Sequence, residues 1–479
     1  MAITGFQLQP SDLERLPVEL LDMVVANCAW PEIRAISLLS QTWRRLCICR
    51  LFRNVAFLHR GLENTCGRFL EFISRPDCVH IVNSIKTLTL SGTKFPPCHE
   101  CSGNEYDTDE EGTDYEGDED EDGVVIGLDI NLLAAVVGKL GKLDTLVLLD
   151  LWIFVPVGHP IGSGTTEKSL ETRRRLQMLT LNNVRTSRSA FRNNLDDILA
   201  MFSHVEHLRL RYLPPKGRWG SLGEGRPEEE QEPVLDIASR PSITSLDIST
   251  SKPPLAMCFK TVQPNYLSKI TALAVNCRTR LDLAWIGNIL PEVAGHLKYL
   301  SLSLLDLKIV NEDDELDIDP GDMEETLQYP LSCCTQIRFF QLCCGAVFSN
   351  DSETRNAEVF IMFMEVIDFL PAETLRHLVV NLDDFVCAPC DQYGHFTWKT
   401  QPNFWRSGRV GWTKLRETCR RFKNIVSIEL LNDRQGMERW KEEDRAYVLD
   451  EMKEFYREGK MEVTFGSYRD WQSIGSCIH

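Results

Sequence analysis

The 479-residue chain contains no run of eighteen consecutive apolar residues, and nothing before Ser11 combines a basic stretch with an apolar core. Neither a membrane-crossing helix nor a secretory leader is therefore expected. Catalytic signatures are missing as well. Gly158, Gly162 and Gly164 lead to Thr165 and Thr166 without the lysine that a phosphate-cradling loop needs, and no GxSxG, HExxH or HxE...PCxxC pattern occurs. Between Glu105 and Asp122 there are twelve carboxylates and no Lys or Arg, which accounts for twelve of the eighteen excess negative charges. With Tyr106 and Tyr115 as its only large apolar groups, this tract cannot offset its conformational entropy, and the insertion 98–123 is expected to be disordered. The 17 cysteines are odd in number and have no leader before them, so they read as buried thiols in a reducing compartment rather than a disulfide framework. These absences lead to the expectation of an intracellular protein of cytoplasm or nucleus, with no cofactor, no catalytic residue, and neither nucleic acid nor membrane as partner.

What is present begins at Leu16-Pro17-Val18-Glu19-Leu20-Leu21. Pro17 suits the first turn of a helix, and Leu20, Leu21, Val24, Val25 and Cys28 recur on one side of it. A second short helix can start at Pro31 with Ile33, Ile36 and Leu39, and a third at Ser40 as N-cap with Trp43, Leu46 and Cys47. Three short amphipathic helices in so little chain cannot bury their own apolar surface, so they are expected to lean on another one.

Further on, the pattern apolar-x-x-apolar-x-apolar recurs ten times, from Ile85/Leu88/Leu90 to Ile425/Ile428/Leu430, at intervals never shorter than 27 residues. Each interval has room for a helix, and amphipathic stretches fall at 124–140, 189–202, 281–294, 354–370 and 412–422. Strand and covering helix repeated in one direction predict an α/β fold, a parallel sheet inside and helices outside. The predicted organisation is a helical trio over 11–57, a solenoid over 58–466 and a tail over 467–479. A doubly wound α/β domain is the alternative architecture.

In each motif the fourth and sixth residues should point inward, leaving the third, fifth and seventh on an open concave face. That face would carry His207, Arg209 and Arg211 as a basic patch and Tyr299 and Phe339 as exposed aromatic anchors, the candidate substrate-binding residues. Acid-rich insertions at 105–122, 224–232 and 306–325 follow strands and would line one rim. This rim would repel nucleic acid and favour a basic protein segment, or serve solubility alone. Thr108 and Thr113 sit among carboxylates as candidate phosphorylation sites. Cys98-x-x-Cys101 with His99, and Cys387-x-x-Cys390 with His395, each have the spacing of half a zinc site. Their strands are eight strand spacings apart, roughly 38 Å, so a shared metal is not expected.

Leu16-Pro17, Leu20-Leu21 and Trp43, in this order and spacing, resemble the F-box, and the likeness covers about Leu13 to Phe57. The strand motifs are similar to the strand half of leucine-rich repeats. The nearer likeness is to the degenerate repeats that follow the F-box in fungal-type substrate receptors, although an asparagine after the strand appears only as Asn182 and Asn276. Gln41-Thr42 stands where the family often has a lysine, and Trp30-Pro31-Glu32 where an Asp-Leu pair is commoner. The resemblance implies a substrate-recognition subunit of a cullin-RING (SCF-type) ubiquitin ligase. A Skp-family adaptor, and through it a cullin, would be held by Leu16, Pro17, Leu20, Leu21 and Trp43, and an unknown target protein by the solenoid. A non-degradative F-box scaffold and a metal-dependent hydrolase are the rival functions.

Overall fold

The computed structural model describes residues 16–58, 62–92, 126–154, 174–186, 198–211, 241–249, 264–277, 279–304, 320–348, 353–387, 399–400, 409–431, 442–457 and 462–466. The chain divides into two compact units, Met1–Val205 and Glu206–His479.

In the first unit, helices α1 (Val18–Ala26), α2 (Trp30–Ile36) and α3 (Gln41–Leu51) come first. Each start has a local cause. Pro17 is the residue before α1, and its carbonyl accepts from Leu20 and Leu21. The Glu32 carboxylate accepts from the Ala29 N–H at 2.7 Å, and the Ser40 hydroxyl accepts from the Trp43 N–H at 3.3 Å. Strand β1 (Asn54–Leu58) follows α3 after two residues, so it begins inside the stretch expected to be wholly helical. Then come α4 (Leu62–Ile73), α5 (Val79–Val82), β2 (Thr87–Ser91), β3 (Ile126–Asp129), α6 (Ile130–Lys139), β4 (Thr145–Leu149), β5 (Leu151–Phe154), β6 (Arg174–Asn182) and β7 (Arg185–Thr186). Strands β1, β2, β4 and β6 pair in that order, all parallel. A smaller parallel sheet, β3-β5-β7, was not anticipated. It forms because the chain turns sharply at Asp150 and Asn183, both in the left-handed region at φ 50°, and the Asn183 amide donates to the Asp150 carboxylate at 2.7 Å. The asparagine that turns the chain is thus Asn183, whereas Asn182 is the last residue of its strand.

Strand β8 (Phe202–Arg211) straddles the division between the units. Phe202, expected on a helix, opens this strand and is buried. The second unit continues with β9 (Ser242–Ser249), β10 (Ala272–Asn276), α7 (Arg280–Val293), β11 (Tyr299–Ser303), α8 (Pro320–Ser332), β12 (Phe339–Phe348), α9 (Glu353–Asp368), β13 (His377–Cys387) and β14 (Lys399–Thr400). It ends with α10 (Arg409–Arg421), β15 (Ser427–Leu431), α11 (Glu442–Glu451), α12 (Lys453–Arg457) and β16 (Glu462–Gly466). Strands β9-β10-β11-β12-β13-β15-β16 run parallel in that order, and β14 adds antiparallel to β13. The fourth and sixth residues of all ten sequence motifs lie on strands and are buried, while the first residue of most of them precedes its strand. The fold is α/β with a large parallel sheet and helices, as expected.

The helices form a layer in which α7 packs on α8, α8 on α9, and α9 on α10. Glycine makes two of these approaches possible. A Cβ on Gly287 would lie 2.8 Å from the Thr326 carbonyl oxygen, and one on Gly411 would lie 1.9 Å from the Phe360 ring. Charge fastens the end of the layer. Asp368 of α9 receives Lys414 at 2.7 Å, Arg421 at 2.8 Å and the Thr418 hydroxyl at 2.6 Å, all from α10 or its end. Arg416 meets Glu451 at 3.0 Å, and Arg420 pairs with Glu454.

Candidate partner-binding surfaces

The first surface is built on α1. Helical periodicity places Leu21 and Val25 on one stripe and Leu20, Met23 and Val24 on the next. The first stripe is interior: Leu21 retains 2% of its accessible surface and packs with Val25, Ile33, Trp43 and Cys47, with Cys28, Ile36, Leu46 and Leu51 around them. The second stripe faces outward, with Leu20 at 45% and Met23 at 60% exposure, and Leu16 and Val18 are exposed beside it. Trp30, which opens α2, and Leu38 and Leu39, in the turn after it, are exposed as well. Arg50 of α3 fixes α1 from its polar side, donating to the Asp22 carboxylate at 3.2 Å and to the Asp22 carbonyl at 3.3 Å.

The five residues expected to hold an adaptor therefore separate into two groups. Leu16, Pro17 and Leu20 lie on the surface, whereas Leu21 and Trp43 form the small core beneath it. Met23, Val24, Trp30, Leu38 and Leu39 belong to the exposed set; Val24 and Leu39 were read as apolar positions of their helices, and none of the five was expected to hold the adaptor. The i, i+3, i+4 spacing of Leu20, Met23 and Val24 was the signal that could have found Met23 and Val24.

The second surface is the display face of the parallel sheet in the second unit. Cross-strand register aligns Ser245, Ala272, Tyr299, Phe339, His377 and Ser427 in one row, and Asp247, Ala274, Ser301, Gln341, Val379 and Glu429 in the next. Two expectations for this face are corrected. Phe339 is not an exposed anchor: it is 4% exposed and clusters with Val379 and Leu431, while the half-buried Tyr299 packs against it at a ring separation of 6.2 Å. Large side chains on strands about 4.8 Å apart cover one another, an effect that alternation along a single strand does not reveal. Nor do His207, Arg209 and Arg211 make a simple basic patch. Arg209 donates to the Asp247 carboxylate at 2.9 Å, with both side chains largely shielded. His207 lies 3.7 Å from Glu206, and burial together with the Arg209 charge pushes its pKa below 6.5 despite that carboxylate. Arg211 is exposed. Further along the row, His377 Nδ1 and Ser427 Oγ share a 2.8 Å hydrogen bond. Burial, then the neighbouring Arg376, lowers the imidazole pKa.

The tracts 105–122 and 224–232 lie outside the described residues, as do Thr108, Thr113, Cys98, His99, Cys101, Cys390, His395 and the tail 467–479. Of the tract 306–325, residues from Pro320 onward open helix α8. Among the described residues no group of three or more His, Cys, Asp or Glu side chains is placed to hold a metal ion, and no helix is long and apolar enough to cross a membrane. Buried thiols are pushed up by desolvation, Cys66 to about 11 and Cys334 to about 12, so they are poor nucleophiles at neutral pH. No protein-family model matches the chain, and no curated protein matches it either.

Proposed function

We propose that the protein is the substrate-recognition subunit of a cullin-RING ubiquitin ligase. In this reading α1 to α3 are an F-box that docks a Skp-family adaptor, and the strands and helices that follow are an irregular leucine-rich-repeat-like solenoid that holds the target. The observation that supports it is the second apolar stripe of α1. A helix that already buries Leu21 and Val25 leaves Leu20, Met23 and Val24 exposed, and Leu16 and Trp30 are exposed too. Exposing large apolar groups together is costly, at about 25 cal/mol per Å² of surface left in water, and a contiguous patch of this kind marks a protein-binding face. The receptor performs no bond chemistry. Its contribution to rate is to hold a target lysine beside a charged ubiquitin-conjugating enzyme.

Leu16→Ala combined with Leu20→Ala should abolish co-purification of adaptor and cullin while the melting temperature stays unchanged. Full retention of the adaptor by that variant would refute the assignment.

A further inference from the structure

Charge is distributed unevenly between the trio and the rest of the molecule. The chain as a whole carries -18, yet residues 16–58 contain five arginines and only three carboxylates. Asp22 is taken by Arg50, and Glu32 caps its own helix. Among the described residues no partner exists for the guanidinium of Arg34, which sits in the last turn of α2. Residues four apart on a helix share a face, so Arg34 stands one turn from Trp30, and Leu38 lies four residues further on, in the turn that follows the C-cap Ser37. Both neighbours are open to solvent, at 59% and 73% exposure. The stripe is thus apolar, cationic, apolar.

We infer that Arg34 selects the docking partner by its charge: the surface that covers Trp30 and Leu38 carries a carboxylate that meets Arg34. The inference rests on the adaptor-docking reading and makes Arg34 a specificity-determining residue within it. A partner that buried Trp30 and Leu38 would take the guanidinium between them out of water, and a desolvated cation without a counter-charge opposes binding. The excess of arginine over acid in the trio points the same way, because it attracts an acidic partner while the acidic remainder of the chain repels one.

The test uses the full chain and a purified Skp-family adaptor, with affinity measured by calorimetry at low and high salt. Arg34→Glu is expected to weaken binding by roughly thirtyfold or more, and Arg34→Leu, which keeps an apolar stem, by roughly tenfold. Arg34→Lys should retain most of the affinity. Arg53→Glu makes the same change in net charge away from the stripe and should alter affinity less than about threefold. Unchanged circular dichroism and melting of each variant separate lost docking from lost folding. Equal effects of Arg34→Glu and Arg53→Glu, or wild-type affinity independent of salt, would overturn the role of Arg34 and leave the adaptor reading standing. Failure of the wild-type chain to bind adaptor at all would remove both.

Discussion

The helical trio and the display face of the second unit are both built from apolar and charged residues at regular spacing, yet they treat them in opposite ways. On the trio Leu20, Met23 and Val24 of α1 face outward and, among the described residues, Arg34 has no ion-pair partner. On the sheet, Phe339, Val379 and Leu431 cover one another and Arg209 is held by Asp247. The trio is unfinished as a surface, whereas the sheet face is largely satisfied from within. Strand geometry explains much of this contrast. Neighbours 4.8 Å away on both sides shield a side chain on a sheet, while a helix of nine residues that packs on only one side has no such neighbours on the other. The difference teaches where to look for a partner. On the proposed reading a subunit covers the trio, and a target on the display face would use what remains partly open there: Tyr299, His207, Arg211 and the His377 and Ser427 pair.

The comparison breaks most visibly in the two interiors. Trp43→Ala removes the largest side chain of the trio's small core, and Phe339→Ala removes the centre of the display-face cluster. Each deletion of a buried aromatic is expected to cost about 3–5 kcal/mol. The consequences should differ. The trio has few other buried residues to rely on, so Trp43→Ala should melt α1 to α3, seen as loss of amide-exchange protection over 18–51. Phe339→Ala should lower the melting temperature and leave the trio's protection intact. Equal loss of protection in the trio from both substitutions would show that the two surfaces are not energetically separate.

A smaller effect comes from the clamp behind the sheet. Burial works to raise the Asp368 pKa, but hydrogen bonds from Lys414, Thr418 and Arg421 together with the Lys414 charge outweigh it and hold the carboxyl below 3.8. The folded form therefore binds a proton less readily than the unfolded one. The stabilisation is complete above the unfolded value and is lost as pH falls through the folded value. Asp368→Asn should cost about 1–3 kcal/mol at neutral pH, where three donors lose their anion. Melting followed from neutral pH down to about 3 should show the wild-type advantage shrinking with acid, and a constant difference would exclude the clamp as its source.

Much of this architecture was legible in the chain. The ten motifs mark ten strands, and 281–294 and 354–370 lie within about two residues of α7 and α9, because alternation and the helical period report directly on burial. Strands β1 and β16 escaped because they pair on one side only and lack the full motif. The small sheet β3-β5-β7 depends on left-handed turns at Asp150 and Asn183, which an asparagine or aspartate permits without announcing. Helix α8 was read as an acidic insertion because Asp322, Glu324 and Glu325 mask the buried Met323 and Leu327. The pairing of Arg209 with Asp247 joins residues from different repeats, and the shielding of Phe339 comes from strands more than thirty residues away in sequence. The exposed stripe of α1 was only half read, since Leu20 and Leu21 look alike until one of them is buried.

That last pair supplies the finest test of the comparison. Leu20 and Leu21 are neighbours of identical chemistry, separated by about 100° on the helix, so they differ only in what surrounds them. Leu21→Ala should destabilise the trio by about 2–4 kcal/mol through the cavity it leaves. Leu20→Ala should cost far less, about 1 kcal/mol or under, because nearly half of the Leu20 surface is already in water and alanine is the better helix former. Its effect should appear instead as weaker binding of a purified Skp-family adaptor, measured by calorimetry. A destabilisation by Leu20→Ala as large as that of Leu21→Ala would mean that the outward stripe is covered by this chain itself, and the trio would lose its claim to be a docking face.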